Sequence, residues 1–170
     1  MNSTQILIII FCILLFVLYV QSYLQPKNDY TIVQTYLDKI KIDTLYEKHP
    51  IIIYDHIYDP LNLLKSLFAY SYACYFTKTY ESNRIFTAKS KFTLLFNDKE
   101  NNTIHLISPK YKLDMQKRVA EQNADVQYVT VILKQNQILI LPLFWRFESS
   151  RPCKAIELDD FITPVVKLTC

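Results

Sequence analysis

The chain has no glycine anywhere in its 170 residues. Average usage would supply about a dozen. A Walker loop, a dinucleotide fingerprint and a nucleophile elbow all need glycine, so those chemistries are excluded at once. The absence also shifts a burden. Turns that need positive φ must use Asn or Asp, which accept left-handed backbone less readily. Histidine is nearly as scarce, with only His49, His56 and His105. The four cysteines are Cys12, Cys74, Cys153 and Cys170. Cys12 falls in an apolar run, and the remaining three are too few and too odd for a disulfide framework. No pair has the C-x-x-C spacing of a zinc site. They read as small apolar residues or free thiols, with a Cys153–Cys170 bridge left open. Charge is also meagre: the net is +3, and no basic run concentrates it. Nucleic acid is therefore not an expected partner.

What is present is apolar. Hydrophobic residues make up 51% and aromatics 14%, enough for one packed domain at this length. The chain is rich in Ile, Lys, Asn and Tyr, and AT-rich codons encode all four. Base bias in the genome accounts for the missing glycine.

The longest uncharged run lies at the N-terminus. It comprises Ile6, Leu7, Ile8, Ile9, Ile10, Phe11, Leu14, Leu15, Phe16, Val17, Leu18, Tyr19 and Val20, with Cys12 and Ile13 between them. Extended to Leu24 it reaches about 19 residues, enough to cross a hydrocarbon core. Pro26 and Lys27 end it, and Tyr19 and Tyr23 sit where rings favour the interface. We read residues 1–24 as a retained single-pass transmembrane anchor, with the lipid bilayer as its partner. The alternative is a cleaved signal peptide, with Val20-Gln21-Ser22 as a cleavage site and a secreted domain as product. Against it, the first five residues carry no Lys or Arg, and the run is long for such a leader. Lys27, Lys39 and Lys41 follow the span and point toward a cytoplasmic C-terminal domain. Asn101-Asn102-Thr103 would accept a glycan on the other side.

Residues 25–45 read as a connecting segment with one helical stretch near Val33–Ile40, and residues 46–170 as a β-rich domain. Pro50 opens a β-branched strand, Ile51-Ile52-Ile53. Asp59 and Pro60 have the cap and first-turn chemistry of a helix running from Leu61 to about Tyr70. Strands are expected over Tyr72–Thr79, Arg84–Phe96, Thr103–Ser108, Tyr128–Leu133, Ile138–Leu141 and Lys154–Leu158. The polar stretch Asn97–Asn102 would join its two neighbours as a hairpin. Leu113–Asn123 reads as an exposed helix. Asp159-Asp160 would cap a helical turn at Phe161–Val165. The expected class is α+β and β-rich: a compact sandwich or barrel with two or three short helices.

Within it, Leu133–Phe147 reads LKQNQILILPLFWRF. The aliphatic strand Ile138–Leu141 should be buried on both faces. Pro142 has no N–H and ends the ladder. Trp145 should pack as a core plug with its N–H satisfied nearby. The order of tight turn, aliphatic strand, proline and tryptophan resembles the closing strands of cupin-like and jumonji-C-like domains. Ile138, Ile140, Pro142 and Trp145 carry that likeness. Pro50-Ile51-Ile52-Ile53 and Ile107-Ser108-Pro109-Lys110 resemble their early and middle strands. The resemblance implies a double-stranded β-helix and, in its enzymes, iron and 2-oxoglutarate chemistry on two histidines and a carboxylate. Here no histidine begins a His-x-Asp or His-x-Glu pair, and none lies beyond His105. Asp55-His56-Ile57-Tyr58-Asp59 reads as a polar loop before a capped helix. Glu157, Asp159 and Asp160 read as surface charge at a helix start. No catalytic residue, cofactor or metal is therefore expected. The expected function is a membrane-anchored structural or interaction protein with a catalytically inactive cupin-like domain and unidentified protein partners. Tyr-rich 70–80 is one candidate interface. The composition resembles that of small membrane proteins of large DNA viruses, which implies a virion or host membrane. The alternative is an oxygenase-like or ligand-binding cupin with an altered site.

Overall fold

The computed structural model describes residues 2–24, 27, 29–68 and 74–168. Helix α1 (Ser3–Leu24) contains the apolar run. Its 22 residues rise about 33 Å, and every side chain from Asn2 to Leu18 is exposed. Over Asn2–Leu18 no side chain of α1 is packed on the rest of the protein. By length and composition it can cross a membrane, a test that a signal sequence also passes.

The remaining elements are β1 (Val33–Thr35), α2 (Ile42–Tyr46), β2 (Ile51–Ile53), α3 (Pro60–Leu67), β3 (Cys74–Tyr80), β4 (Ile85–Thr87), β5 (Phe92–Phe96), β6 (Asn102–Ile107), β7 (Val129–Leu133), β8 (Ile138–Pro142), β9 (Arg146–Ser149), β10 (Cys153–Asp159) and α4 (Thr163–Leu168). They form a six-stranded sheet, β1-β2-β8-β5-β10-β3, and a four-stranded sheet, β4-β9-β6-β7. The chain is α+β and β-rich. Its winding is regular. The pairs β3–β10, β4–β9, β5–β8 and β6–β7 are all antiparallel and alternate between the large sheet and the small one. Residues 74–107 and 129–159 are thus two arms of one long hairpin ribbon, folded back and forth across the sandwich.

Burial follows from that winding. Along β5, β8 and β10, successive side chains serve two different cores. Leu95, Leu139, Leu141, Cys153 and Ala155 face the small sheet and meet Ile104, Leu106, Val131, Leu133 and Phe147. Phe92, Leu94, Ile138, Ile140, Ile156 and Leu158 face outward and are covered by Leu45 of α2 and Leu63 and Leu64 of α3. The layers run helices, large sheet, small sheet. A strand buried on both faces must be apolar throughout, which is why Ile138–Pro142 shows no alternation.

The missing glycines leave a visible mark. Among the described residues positive φ falls on Lys48 (57°), Asn83 (57°), Asn136 (63°) and Phe144 (72°). Two of the four are asparagines, as expected, but Lys48 and Phe144 are neither Asn nor Asp, so the fold also imposes left-handed backbone on residues that disfavour it. Asn136 sits in the β7–β8 turn, where its N–H donates to Asn97 O (2.7 Å) and its carbonyl accepts from Ile57 N (2.7 Å).

Several sequence expectations need correction. Val33–Ile40 is not a helix but strand β1 and a short 3-10 turn. β1 pairs in parallel with β2, so this part of the connecting stretch is built into the large sheet. The predicted strand Arg84–Phe96 is two strands in different sheets. The predicted hairpin across Asn97–Asn102 is a crossing: β5 is buried on both faces and needs the centre of the large sheet, so β6 pairs elsewhere. Leu113–Asn123 is not a helix. Only a 3-10 turn forms at Val119–Glu121, because side chains claim the backbone. Gln122 bonds both Asp114 N (3.1 Å) and Asp114 O (2.7 Å), and the buried Glu148 accepts from Val119 N (2.5 Å) and Arg118 Nε (3.2 Å). The helix after Asp59 begins as expected, with Asp59 accepting from Leu61 N and Asn62 N, but it stops at Leu67. The last helical turn is α4, two residues later than expected. Tyr70, Tyr72 and Cys170 lie outside the described residues, and so does any Cys153–Cys170 bridge.

Candidate functional site

Two places in this fold have the chemistry to matter. One is the sandwich interior, where the resembled enzymes hold a metal. Here Trp145, in the short crossing from β8 to β9, projects into it at 1% exposure. Around it lie Leu106, Leu139 and Leu141, and Phe147 is wholly buried. Tyr80 meets Phe147 edge-on at 5.0 Å and Phe86 at 4.7 Å. The space between the sheets is therefore filled by hydrocarbon and rings. Ile138 and Ile140 are buried on the opposite face, under the helices, and Pro142 ends β8 opposite Phe92. Among the described residues the indole Nε1 of Trp145 has no hydrogen-bond partner, contrary to the expectation of a local one, and Thr93 Oγ1 shares that state.

The three histidines do not converge on this interior. His105 on β6 bonds Thr130 Oγ1 (3.0 Å) and packs edge-on against Tyr128. His49 lies 3.2 Å from both Asp29 and Lys27. His56 is exposed. The carboxylates near His56 are occupied by backbone: Asp55 accepts from Leu37 N (2.5 Å) and Asp59 caps α3. Among the described residues no group of three metal-ligating side chains forms. Cys153 is buried, and burial raises its thiol to about 12, which leaves it protonated.

The second place lies where β5 begins and β10 ends. Asp160 was expected as surface charge, yet it is 8% exposed and Asp159 is 6% exposed. Asp160 Oδ1 accepts from Ile162 N, Thr163 N and Thr163 Oγ1, each at 3.0 Å, which starts α4. Its Oδ2 accepts from Lys91 Nζ (2.8 Å) and from Tyr19 OH (2.9 Å). Lys91 Nζ also reaches Tyr19 OH at 3.2 Å. Burial would raise the Asp160 carboxyl, but Lys91 and Tyr19 outweigh it and hold the group at about 2. Burial likewise opposes the Lys91 charge, and Asp160 overcomes it, so the ammonium is raised. Around this polar knot Tyr19 stacks on Phe161 at 6.2 Å, while Tyr19 and Val20 pack against Leu143 and Ile162. The foot of the sandwich is thus fastened to the end of α1. Tyr19 had been read as an interfacial ring only. Nothing local in the sequence links it to a carboxylate 141 residues away.

A scan of protein-family models matches none to this chain, and no curated protein matches it.

Proposed function

We propose that the chain is a single-pass membrane protein whose non-catalytic, cupin-like sandwich is seated on its own anchor and serves as a structural or interaction module. The observation that carries this is the Tyr19–Asp160–Lys91 knot. A leader cut at Val20-Gln21-Ser22 would take Tyr19 with it. That would uncover Leu143 and Ile162 and strip one partner from a carboxylate that is 8% exposed. A helix knitted into the fold is a helix to keep.

The cupin-like reading draws support from the ribbon that alternates between two sheets, the winding of a jelly roll. The non-catalytic reading draws support from an interior occupied by Trp145 and Phe147. The AT-rich composition favours a virion or host membrane.

Alkaline carbonate extraction of expressing membranes, with intact mass measured on the product, tests the proposal. A full-length chain in the pellet is expected. Release of a chain shortened by about twenty residues, the length of a leader, would overturn it.

A further inference from the structure

At the open edge of the sandwich, between β3 and β4, lies a cleft of about 570 Å³. Lys78, Arg84, Lys89 and Lys167 line it with a single carboxylate, Glu157. With Asp159 2.6 Å from Lys167 and Glu81 4.0 Å from Arg84, the four cations keep an excess of one positive charge among the described residues. A cleft lined by one sign of charge focuses its field and concentrates counter-ions.

Three of the four cations have contacts that hold them. Lys78 Nζ stands 4.7 Å from the centre of the Tyr80 ring and 3.4 Å from Glu157. The Arg84 guanidinium stands 5.9 Å from the Phe86 ring. Lys167 is fixed by Asp159 (2.6 Å) and Ser90 Oγ (3.4 Å). Glu157 is itself engaged, accepting from Tyr80 OH and from Ser90 Oγ (3.3 Å). Groups already ordered lose less entropy when a ligand arrives. The fork of Arg84 beside the point charges of the lysines is the donor set that recognises phosphate oxygens. A phosphomonoester brings three strong acceptor oxygens to this donor set, where a carboxylate brings two.

We propose that this cleft binds a phosphomonoester. Ser90 lies between the cleft and the anchor junction: its hydroxyl accepts from Lys167, and the next residue is the Lys91 that holds Tyr19. A lipid headgroup in a bilayer spanned by α1 is one source of such a monoester. That source rests on the anchor reading, whereas a water-soluble ester does not.

The test uses the full chain in detergent, titrated calorimetrically with dioctanoyl phosphatidic acid, glycerol 3-phosphate and dioctanoyl phosphatidylcholine. Saturable one-to-one binding of a monoester is expected, with no binding of the choline lipid. Arg84→Ala/Lys89→Ala should weaken it at least about a hundredfold, since two charged hydrogen bonds are lost. Lys99→Ala, in the turn between β5 and β6, should not. Preference for phosphatidic acid assigns the site to lipid, and equal binding of glycerol 3-phosphate assigns it to a soluble ester. Absence of saturable binding by either, or binding unchanged in the double variant with an unchanged melting temperature, would overturn the proposal. Failure of carbonate retention alone would remove only the lipid source.

Discussion

Asp160 does two jobs with one side chain. One oxygen starts α4, and the other holds Lys91 and Tyr19. Asp160→Ala removes a helix cap and strands a half-buried ammonium. It should cost about 2–4 kcal/mol by denaturant unfolding in detergent, summing a cap and a charged hydrogen bond. Asp160→Asn keeps the cap geometry and should lose less. The sign of the pH effect follows from the direction of the shift. The carboxyl titrates at about 2 in the folded chain against an ordinary 3.8, so it stabilises fully above that ordinary value. The contribution disappears as pH falls through about 2. An acid titration of unfolding should show this loss in the natural chain, and Asp160→Asn should lack it.

At the scale of elements, the ribbon depends on its crossings. The β7–β8 turn works without glycine because Asn136 accepts φ of 63° and its backbone ties two neighbouring loops together. Asn136→Ala should destabilise by about 1–2 kcal/mol through the left-handed penalty, while Asn136→Gly should be neutral or slightly stabilising. Thermal unfolding of the three chains side by side checks the order. The β8–β9 crossing is different, because there the chain delivers a side chain as well as a turn. Trp145→Ala empties the middle of the inner core and should cost about 3–5 kcal/mol. Trp145→Phe keeps most of the volume and deletes an indole N–H that has no partner, so it should cost much less. A Phe variant as damaging as Ala would contradict the filled-interior account.

For the whole molecule, the knot at the foot of the sandwich sets how the domain stands on α1. Cys12 is exposed on α1 and offers a natural labelling position. With Cys74 and Cys170 changed to serine, a second spin label at Lys99→Cys would report the distance from anchor to the far end of the sandwich. In nanodiscs the natural junction should give one narrow distance distribution. Tyr19→Ala combined with Asp160→Ala should broaden it. Equal widths would mean that the contacts at Tyr19 do not fix the domain.

Much of this molecule was legible in its residues. The apolar N-terminal helix, the strand after Pro50, the Asp59 cap and the doubly buried Ile138–Leu141 all rest on local pattern: an uninterrupted apolar run, a β-branched cluster, an N-cap before proline. What local pattern could not supply was partnership between distant strands. Phe92, Thr93 and Leu94 look alike whether their strand turns back in a hairpin or crosses to another sheet. Only the need of β5 for neighbours on both sides decides it. The Leu113–Asn123 helix failed for a related reason, since the acceptor that claims Val119 N is Glu148, on a strand far along the chain. The junction went unseen on the same grounds. Asp160 reads as a surface carboxylate until the fold brings Tyr19 and Lys91 to it. Sequence therefore settled the segments whose signal is local, namely the apolar helix, the Ile51–Ile53 strand, the Asp59 cap and the Ile138–Leu141 strand, because hydropathy and caps act within a few residues. The tertiary structure alone decided which segments meet, because that depends on how the whole ribbon closes over its cores.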